Sequence, residues 1–289
     1  MTTKGIILAG GSGTRLWPVT SVFSKHFIPI YDKPMIYYPL TTLMLAGIQD
    51  ILIISTPDDL PIFKSLLKSG AQWGVSISYA TQSNPNGLAE ALIIGDKFLQ
   101  NQSSILILGD NLIYGSGLGR NLAGLTVNHG ATITAYKVAE PEHFGVVIFD
   151  GNNVPIDIVE KPSTHLSDWA IPGIYFFDNT APARARGLQP SARGEIEISE
   201  LNRSYLIDGS LNVHKLARGT AWLDLGTPKG ILEASAFVRT IQERQGLLIG
   251  SPEDVAYSMG YLSKNEIIAR MTSKKSMYAK NVIQELEKH

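Results

Sequence analysis

The sequence predicts an α/β fold in which a mainly parallel sheet is covered by helices on both faces. Short apolar runs alternate with segments of helical spacing through the first half of the 289-residue chain. That alternation is typical of parallel strands joined by helical crossovers. The runs at residues 6–9 and 105–108 are apolar throughout rather than alternating, which indicates strands buried on both faces.

The first half contains four predicted strands with helices between them. The strands are residues 6–9, 51–54, 76–79 and 105–108. The helices are residues 35–46, 60–68 and 88–99. Ligands of open α/β sheets bind beyond the carboxyl ends of the strands, which directs attention to residues 10–15, 82–87 and 109–110.

The second half changes character after about residue 130. Strands follow one another with few helices between them, and this pattern predicts a mixed sheet built onto the first half; they are residues 131–137, 145–149, 156–160 and 174–177. From Pro228 onward the pattern is helical, over residues 231–244, 252–259, 264–271 and 275–288. We therefore expect an α/β domain over residues 1–227 and a C-terminal helical subdomain over residues 228–289.

Composition narrows the classes of function. The formal net charge of −1 provides no overall field that would attract nucleic acid or a membrane surface. The absence of cysteine excludes disulfides, thiolate metal sites and cysteine nucleophiles. The first apolar run is too short for a signal peptide, and no segment approaches the ~20 apolar residues of a membrane helix. We expect a cytoplasmic protein without nucleic-acid or membrane partners.

A glycine-rich loop, Gly10-Gly11-Ser12-Gly13-Thr14-Arg15, follows the first strand. Glycines expose backbone N–H groups to a phosphate, and Arg15 adds a fixed positive charge. A tight turn with a surface arginine is the alternative, and the pattern favours a phosphate site by roughly 4 to 1. The loop lacks the Lys-Ser/Thr of a P-loop and the third glycine of a dinucleotide fingerprint, which counts against a kinase and an NAD enzyme.

Charged residues after other strands are further candidates. Lys25 could reach the same phosphate as the glycine loop, although an isolated lysine is usually solvated. Asp110 follows the fourth strand and suits Mg²⁺, although a turn or N-cap aspartate is equally expected there. Asp224 adds a second carboxylate. The pair Glu160-Lys161 suits sugar hydroxyls and a sugar phosphate, but surface Glu-Lys pairs are common.

Together these residues resemble the sugar nucleotidyltransferase family, and its thymidylyl branch in particular. The resemblance covers nearly the whole chain and rests on residues 8–16 with Lys25 and Pro29, and on residues 31–40, 85–89, 191–198 and 222–224. It implies a Rossmann-like three-layer α/β/α sandwich, with a nucleotide-binding part to about residue 130 and a sugar-phosphate-binding part over about residues 131–227. It also implies a homotetramer.

The resemblance assigns roles residue by residue. For the nucleotide it implies Leu8, Gly10, Gly11, Ser12, Gly13, Thr14, Arg15, Gln82, Pro85, Gly87 and Asp110. For the sugar phosphate it implies Lys25, Leu88, Leu108, Phe144, Gly145, Glu160, Lys161 and Trp222. As ligands of Mg²⁺ it implies Asp110 and Asp224. As catalytic residues it implies Arg15, Lys25, Asp110 and Lys161.

The implied reaction transfers dTMP from dTTP to a sugar 1-phosphate, first of all α-D-glucose 1-phosphate, and releases pyrophosphate. A sibling enzyme that uses UTP, ATP, CTP or another sugar phosphate is an alternative. A non-catalytic sugar-nucleotide sensor is a second alternative, and the presence of both carboxylates counts against it. The family also implies feedback inhibition by a downstream dTDP-sugar at a second nucleotide site.

Five segments depart from the usual pattern of the thymidylyl branch. The usual Lys-Gln-Leu-Leu-Pro is Lys-His-Phe-Ile-Pro here, with His26 in place of glutamine. Phe144 replaces a tyrosine, Val159 a glutamate, and Pro172 and Leu225 each replace a threonine. We expect several of these changes to lie near the sugar pocket. Lost hydroxyl partners shift substrate preference, so a 6-deoxy or amino sugar phosphate is a further hypothesis.

Overall fold

The chain is described by a computed structural model that covers residues 2–11 and 13–288. Within them the strands are β1 (Lys4–Leu8), β2 (Pro29–Ile30), β3 (Lys33–Pro34), β4 (Asp50–Ser55), β5 (Ser76–Thr81), β6 (Ser104–Leu108), β7 (Asn111–Tyr114), β8 (Ala131–Lys137), β9 (Gly145–Phe149), β10 (Pro155–Glu160), β11 (Trp169–Ala170), β12 (Ile174–Phe177), β13 (Leu211–Lys215) and β14 (Ala221–Asp224). The α-helices are α1 (Tyr37–Leu45), α2 (Leu60–Leu67), α3 (Glu90–Leu99), α4 (Leu118–Ala123), α5 (Ala181–Gly187), α6 (Ile198–Ile207), α7 (Pro228–Gln245), α8 (Pro252–Ser258), α9 (Lys264–Thr272) and α10 (Met277–Glu287).

One large mixed sheet forms the centre of the described structure. Its order is β10-β9-β11-β8-β12-β6-β1-β4-β5, and β13 pairs with β8 beside this path. β1 pairs in parallel with β4 and with β6, and β4 pairs in parallel with β5. β12 runs antiparallel between β6 and β8. The predicted change from a parallel first half to a mixed second half is confirmed.

Helices cover both faces of this sheet, as the uniformly apolar strands predicted. Ile7 of β1 packs in a buried cluster with side chains of α1, α2 and α8. Its neighbour Ile6 points to the opposite face and packs with side chains of α3, α5 and α6. Because successive side chains of a strand alternate between faces, a run without polar residues requires a cover on each side. The three-layer α/β/α sandwich is confirmed.

The first C-terminal helix, α7, is attached through two small ribbons beside the main sheet, whereas α8 packs directly on α1. β7 pairs with β14 and β2 pairs with β3, in both cases antiparallel. α7 packs on both ribbons and forms what we call the α7 cluster with Ile30, Leu112, Leu225 and Val238. α9 and α10 pack against each other. The C-terminal helical region predicted from the sequence is therefore confirmed, whereas the β7–β14 ribbon was not predicted, because its strands are short and distant in sequence.

A buried ion pair fixes α7 to the second ribbon. Lys33 is almost fully buried, and its ammonium pairs with Asp32 and donates to Gln242 Oε1 of α7 at 3.0 Å. Gln242 Nε2 in turn donates to Asp32 Oδ2 at 3.2 Å. A buried charge requires such partners, so this contact specifies where α7 lies.

None of the helices in the described part of the chain combines the length and the apolar character needed to cross a bilayer.

The core beneath α2 provides a test of the packing. Phe63 is fully buried, and its ring lies 4.5 Å from the ring of Phe27, centroid to centroid. We expect Phe63→Ala to lower the free energy of unfolding by about 3–5 kcal/mol, because it leaves a cavity between helix and sheet. Urea denaturation measures this change.

The adjacent Ile62 supplies the matched control, because its side chain on the same helix is 44% exposed. Ile62→Ala should cost less than about 1 kcal/mol. Equal losses for the two variants would contradict the assignment of α2's buried face.

Candidate active site

Most of the predicted site residues line two adjoining cavities beside the carboxyl ends of β1 and β6. The glycine-loop cavity is lined by Leu8, Gly10, Gly11, Arg15, Lys25, His26, Gln82, Pro85, Gly87, Leu88, Leu108, Asp110, Lys161 and Glu195. The Trp222 cavity is lined by residues that include Asn111, Phe144, Gly145, Glu160, Tyr175, Ser199, Asn202, Trp222 and Asp224. Both cavities are lined by Arg15, Leu88, Leu108, Asp110 and Lys161.

The glycine loop adopts a backbone that favours glycine. Gly11 and Gly13 have φ angles of 97° and 59°, in the left-handed region that other residues seldom adopt. Thr20 Oγ1 donates to the carbonyl oxygen of Gly13 at 2.9 Å and closes the loop. Gly13 and Thr14 lie in this loop without lining either cavity, and Ser12 lies outside the described residues.

Arg15 connects the loop after β1 to the loop after β14. Its side chain is exposed, and Nη2 lies 2.8 Å from the position that a Cβ at Gly226 would take. Any side chain at position 226 would therefore displace the guanidinium. This placement brings a permanent positive charge close to Asp224, where it acts to lower the pKa of that carboxyl.

Lys25 and Asp110 form an ion pair at the boundary between the cavities. Nζ lies 2.5 Å from Oδ2, and the two side chains are 14% and 12% exposed. Burial by itself would raise the pKa of Asp110, but the charge of Lys25 and its hydrogen bond hold that pKa below its ordinary value. Asp110 is therefore ionised. Lys25, which was expected to face the sugar phosphate, lines the glycine-loop cavity.

Asp224 supplies a second carboxylate next to the first. Its pKa is raised by burial and then by the negative charge of Asp110. The β7–β14 register places Asp224 opposite Asn111, the residue after Asp110. Within residues 2–11 and 13–288, no group of three or more His, Asp or Glu side chains is arranged to hold a metal ion. Two repelling carboxylates nevertheless suit a hard divalent cation that takes its other ligands from phosphate oxygens and water.

Gln82 is held so that only its carbonyl oxygen remains available. It is buried, and Nε2 donates to Glu90 Oε2 at 2.7 Å and to the carbonyl oxygen of Gly87 at 3.2 Å. Oε1 lies 3.2 Å from where a Cβ at Gly10 would be. Because both amide hydrogens are engaged, Gln82 offers a ligand a hydrogen-bond acceptor. Glu90, which orients this amide, was not singled out from the sequence.

Gly87 is required by the crossing of two loops. A Cβ there would lie 2.4 Å from the carbonyl oxygen of Ile196, and the φ angle is 108°. Ile196 N donates to the carbonyl oxygen of Asn86 at 2.6 Å. The segment that carries Gln82 is thereby fixed to the segment before α6, so this glycine has a packing role in addition to its position in the cavity.

Aromatic and polar groups shape the Trp222 cavity. The ring of Phe144 lies 4.8 Å from that of Trp222. Trp222 Nε1 donates to Asn111 Oδ1 at 2.5 Å, and Asn111 Nδ2 donates to Asp110 Oδ1 at 3.3 Å. Asn111 therefore connects the aromatic wall to the ionised carboxylate, a role that its sequence neighbourhood alone did not reveal.

Glu160 and Lys161 lie together at the end of β10. Burial raises the pKa of Glu160 although the charge of Lys161 opposes the shift. Lys161 has a φ angle of 42°, which is uncommon for a residue other than glycine. Its N–H donates to the carbonyl oxygen of Phe144 at 3.1 Å, and its side chain is 53% exposed. The Lys161 ammonium lies 3.8 Å from Glu160 Oε1, at the border of the two cavities.

The residues that depart from the thymidylyl pattern lie in different parts of the structure. Phe144 lines the Trp222 cavity as expected. Leu225 is fully buried in the α7 cluster, so the expectation that it lies at the sugar pocket is wrong for this residue. Leu225 directly follows β14, and its side chain packs among Leu112 and Val238 rather than lining the cavity beside Asp224. Pro172 is buried, and its neighbours Ile171 and Gly173 line the cavity instead.

His26 replaces the usual glutamine and lies beneath the ion pair. It is 1% exposed, and Nδ1 lies 2.8 Å from Ser24 Oγ. Burial, and next the charge of Lys25, lower its pKa to about 3, against the opposing effect of Asp110. The imidazole is therefore neutral near pH 7 and adds no charge to the site.

Comparison with known proteins identifies relatives along the whole chain. The sequence model of the nucleotidyl transferase family matches residues 4–241. Glucose-1-phosphate thymidylyltransferase of Neisseria meningitidis serogroup A is 53% identical over 288 residues, covering 99% of this chain and 100% of that protein. The protein of the same name from Mycobacterium tuberculosis is 51% identical over 287 residues, covering 99% of this chain and 100% of that protein.

Solved structures agree with this result. A Bacillus anthracis protein described as a candidate glucose-1-phosphate thymidylyltransferase, solved with sucrose, is 36% identical, with a TM-score of 0.76, and the match covers 82% of this chain and 96% of that one. A UDP-glucose pyrophosphorylase complexed with UDP-glucose is 24% identical with a TM-score of 0.73, over 83% of this chain and 99% of that one. At that identity it bears on the fold alone.

The buried histidine predicts a pH dependence of stability. Because the pKa of His26 falls from 6.5 to about 3 on folding, the unfolded chain binds a proton between these values that the folded chain does not. Stability therefore rises with pH in this window. Between pH 7 and pH 5 the wild type should lose about 2 kcal/mol more of unfolding free energy than His26→Gln.

Urea denaturation of both proteins in the presence of a chelator measures the difference. The glutamine variant is the matched control, since it keeps a polar side chain and does not titrate. Identical losses for the two proteins on going from pH 7 to pH 5 would mean that His26 is not held neutral by burial.

Proposed function

This chain belongs to the nucleotidyl transferase family, and we propose that it is an enzyme that transfers dTMP from dTTP to a sugar 1-phosphate, foremost α-D-glucose 1-phosphate, and releases pyrophosphate. The observation that carries this proposal is the shared wall of the two cavities. Arg15, Asp110 and Lys161 line both of them, so phosphates that enter from either side meet the same charged groups. Relatives that match over their full length carry the corresponding name.

The chemistry requires two polyanions to approach each other. A triphosphate near −4 and a sugar phosphate near −2 repel strongly, since each pair of unit charges at 4 Å costs ~4 kcal/mol at an effective dielectric of 20. Arg15, Lys25 and Lys161 supply three positive charges around the shared wall. The protein's main contribution is to reduce this repulsion and to align the reactants.

In the proposed reaction an oxygen of the sugar phosphate attacks the α-phosphorus of dTTP in line. A new P–O bond forms while the bond from the α-phosphorus to the bridging oxygen of the β-phosphate breaks, and pyrophosphate leaves with that electron pair. The attacking phosphate is already ionised, so no general base is required. Arg15, whose guanidinium lies against Gly226, and Lys161 are the groups that we assign to the phosphate that is transferred with the nucleoside.

Mg²⁺ is the cofactor that we assign to Asp110 and Asp224. Two adjacent carboxylates, one of them with a pKa raised by burial and by the other's charge, fit an ion that neutralises phosphate charge when bound. Asn111 orients one carboxylate through its 3.3 Å hydrogen bond, and Lys25 compensates the charge of the same group.

Gln82 supports a preference for thymine or uracil. Its free Oε1 accepts a hydrogen bond, and the imide N–H of thymine or uracil donates one at the Watson–Crick edge. Cytosine and adenine present an acceptor at the corresponding ring nitrogen, which would face Oε1 without a hydrogen. The amide is kept in this orientation by Glu90 at 2.7 Å. UTP is therefore the triphosphate that most closely rivals dTTP.

Other predictions from the resemblance stay predictions. These are the homotetramer, the feedback inhibition by a downstream dTDP-sugar, the cytoplasmic location and the division into a nucleotide part and a sugar-phosphate part.

A panel of triphosphates tests the proposed function. Pyrophosphate release is measured with glucose 1-phosphate and dTTP, UTP, CTP or ATP. We expect kcat/KM for dTTP and UTP to exceed that for CTP and ATP by at least about tenfold, because the latter leave a buried acceptor unpaired. Absence of release with every triphosphate would contradict the proposed reaction, and preference for CTP or ATP would contradict the assigned base contact.

Replacement of one carboxylate tests the proposed role of the shared wall in the reaction. Asp110→Asn should lower kcat by at least about 100-fold, since it removes one of the two carboxylates assigned to Mg²⁺ and the ion-pair partner of Lys25. Asp58→Asn makes the same chemical change on an exposed loop and should leave kcat unchanged. Circular dichroism checks that both variants are folded. Wild-type turnover by a folded Asp110→Asn would exclude this residue from the reaction.

A further inference from the structure

Asn202 has a buried side chain whose hydrogen-bonding capacity is unused. It is 0% exposed in α6, and neither Nδ2 nor Oδ1 has a hydrogen-bond partner among the described residues. Buried amides in folded proteins are nearly always paired. A buried amide without a partner lowers the equilibrium constant for folding by roughly 5- to 150-fold. A bound molecule that hydrogen-bonds this amide would remove that cost.

The unpaired amide lies in the wall of the Trp222 cavity. Ser199, three residues earlier on α6, lines the same cavity and lies on the same face of the helix. Tyr175 of β12 is the third polar side chain in this part of the wall, whereas Ile171 and Ile198 provide apolar surface beside it. The surroundings are thus those of a binding pocket with a few polar groups among apolar ones.

The position of Asn202 indicates which part of a substrate it meets. Arg15, Asp110 and Lys161 line both cavities, whereas Asn202 lines only the Trp222 cavity. This step rests on the proposed function: if the triphosphate fills the glycine-loop cavity and the phosphates meet at the shared wall, the remaining space beside Asn202 holds the sugar ring.

We propose that Asn202 is a specificity-determining residue that hydrogen-bonds a ring hydroxyl of the sugar 1-phosphate. The amide offers a donor and an acceptor, and a hydroxyl, or two adjacent hydroxyls, can satisfy both. A ring carbon that lacks its hydroxyl satisfies neither. The substrate class is therefore a hexose 1-phosphate with a free hydroxyl at the position that meets Asn202, and a sugar deoxygenated there is rejected.

Two other buried polar side chains provide a comparison for Asn202. Ser104 Oγ and Thr134 Oγ1 are also buried without a partner in the described structure, but neither residue lines either cavity. Thr134 is 0% exposed in β8. Its replacement by the isosteric valine removes an unpaired polar atom in the same way as a change at Asn202 would, but away from the pocket.

The test compares deoxy analogues in the wild type and in Asn202→Leu, which keeps the branching of the side chain at Cγ and removes both polar atoms. We measure kcat/KM with dTTP and glucose 1-phosphate or its 2-, 3-, 4- or 6-deoxy analogue. For one analogue, or for two analogues deoxygenated at neighbouring carbons, kcat/KM of the wild type should be at least about tenfold lower than for glucose 1-phosphate. Asn202→Leu should lose activity with glucose 1-phosphate and keep its activity with the analogue that the wild type rejects. The ratio of kcat/KM for glucose 1-phosphate to kcat/KM for that analogue should therefore approach one.

Thr134→Val is the matched control and should keep the wild-type ratios. Thermal denaturation checks that both variants are folded. Wild-type ratios in a folded Asn202→Leu overturn the inference. If that variant does not fold, a wild-type panel in which no analogue differs from glucose 1-phosphate by more than about threefold overturns it.

The same measurements separate the two levels of the proposal. A wild type that releases no pyrophosphate with any sugar phosphate refutes the proposed function, and the role of Asn202 falls with it. A wild type that is active but indifferent to every deoxygenation leaves the proposed function intact and refutes the role of Asn202 alone.

Discussion

The ion pair between Lys25 and Asp110 is the contact on which the arrangement of the site depends. It joins the segment that follows the glycine loop to the end of β6, with Nζ and Oδ2 2.5 Å apart. It also keeps Asp110 ionised although the carboxylate is buried. Without that charge, Asp224 would feel less repulsion, and the two carboxylates would be less suited to the proposed Mg²⁺.

Around this pair, contacts from different parts of the chain fix each charged group. Asn111 holds Asp110 on one side and Trp222 on the other. Gly226 leaves room for the Arg15 guanidinium. The neutral imidazole of His26 fills the space below without adding charge. Preorganisation of this kind places fixed charges where negative charge gathers during phosphoryl transfer.

The buried polar groups of the molecule serve two different purposes. Lys33, Asp32 and Gln242 hydrogen-bond one another and position α7, so these polar groups stabilise the fold. Gln82 is satisfied on its amide nitrogen, which leaves the oxygen available to a ligand. Asn202 is satisfied at neither atom.

The sequence by itself determined the layered fold and the groups at the ends of β1 and β6. Apolar strands require cover on both faces, and glycines or charges directly after a strand are local signals that need no knowledge of distant contacts. Only the tertiary structure decided the rest. Trp222 meets Asn111 across 111 residues, Asn202 reaches the cavity from a helix without a motif, and Leu225 turns into the core. These outcomes depend on which side chains meet across the folded chain, and a linear pattern does not contain that information.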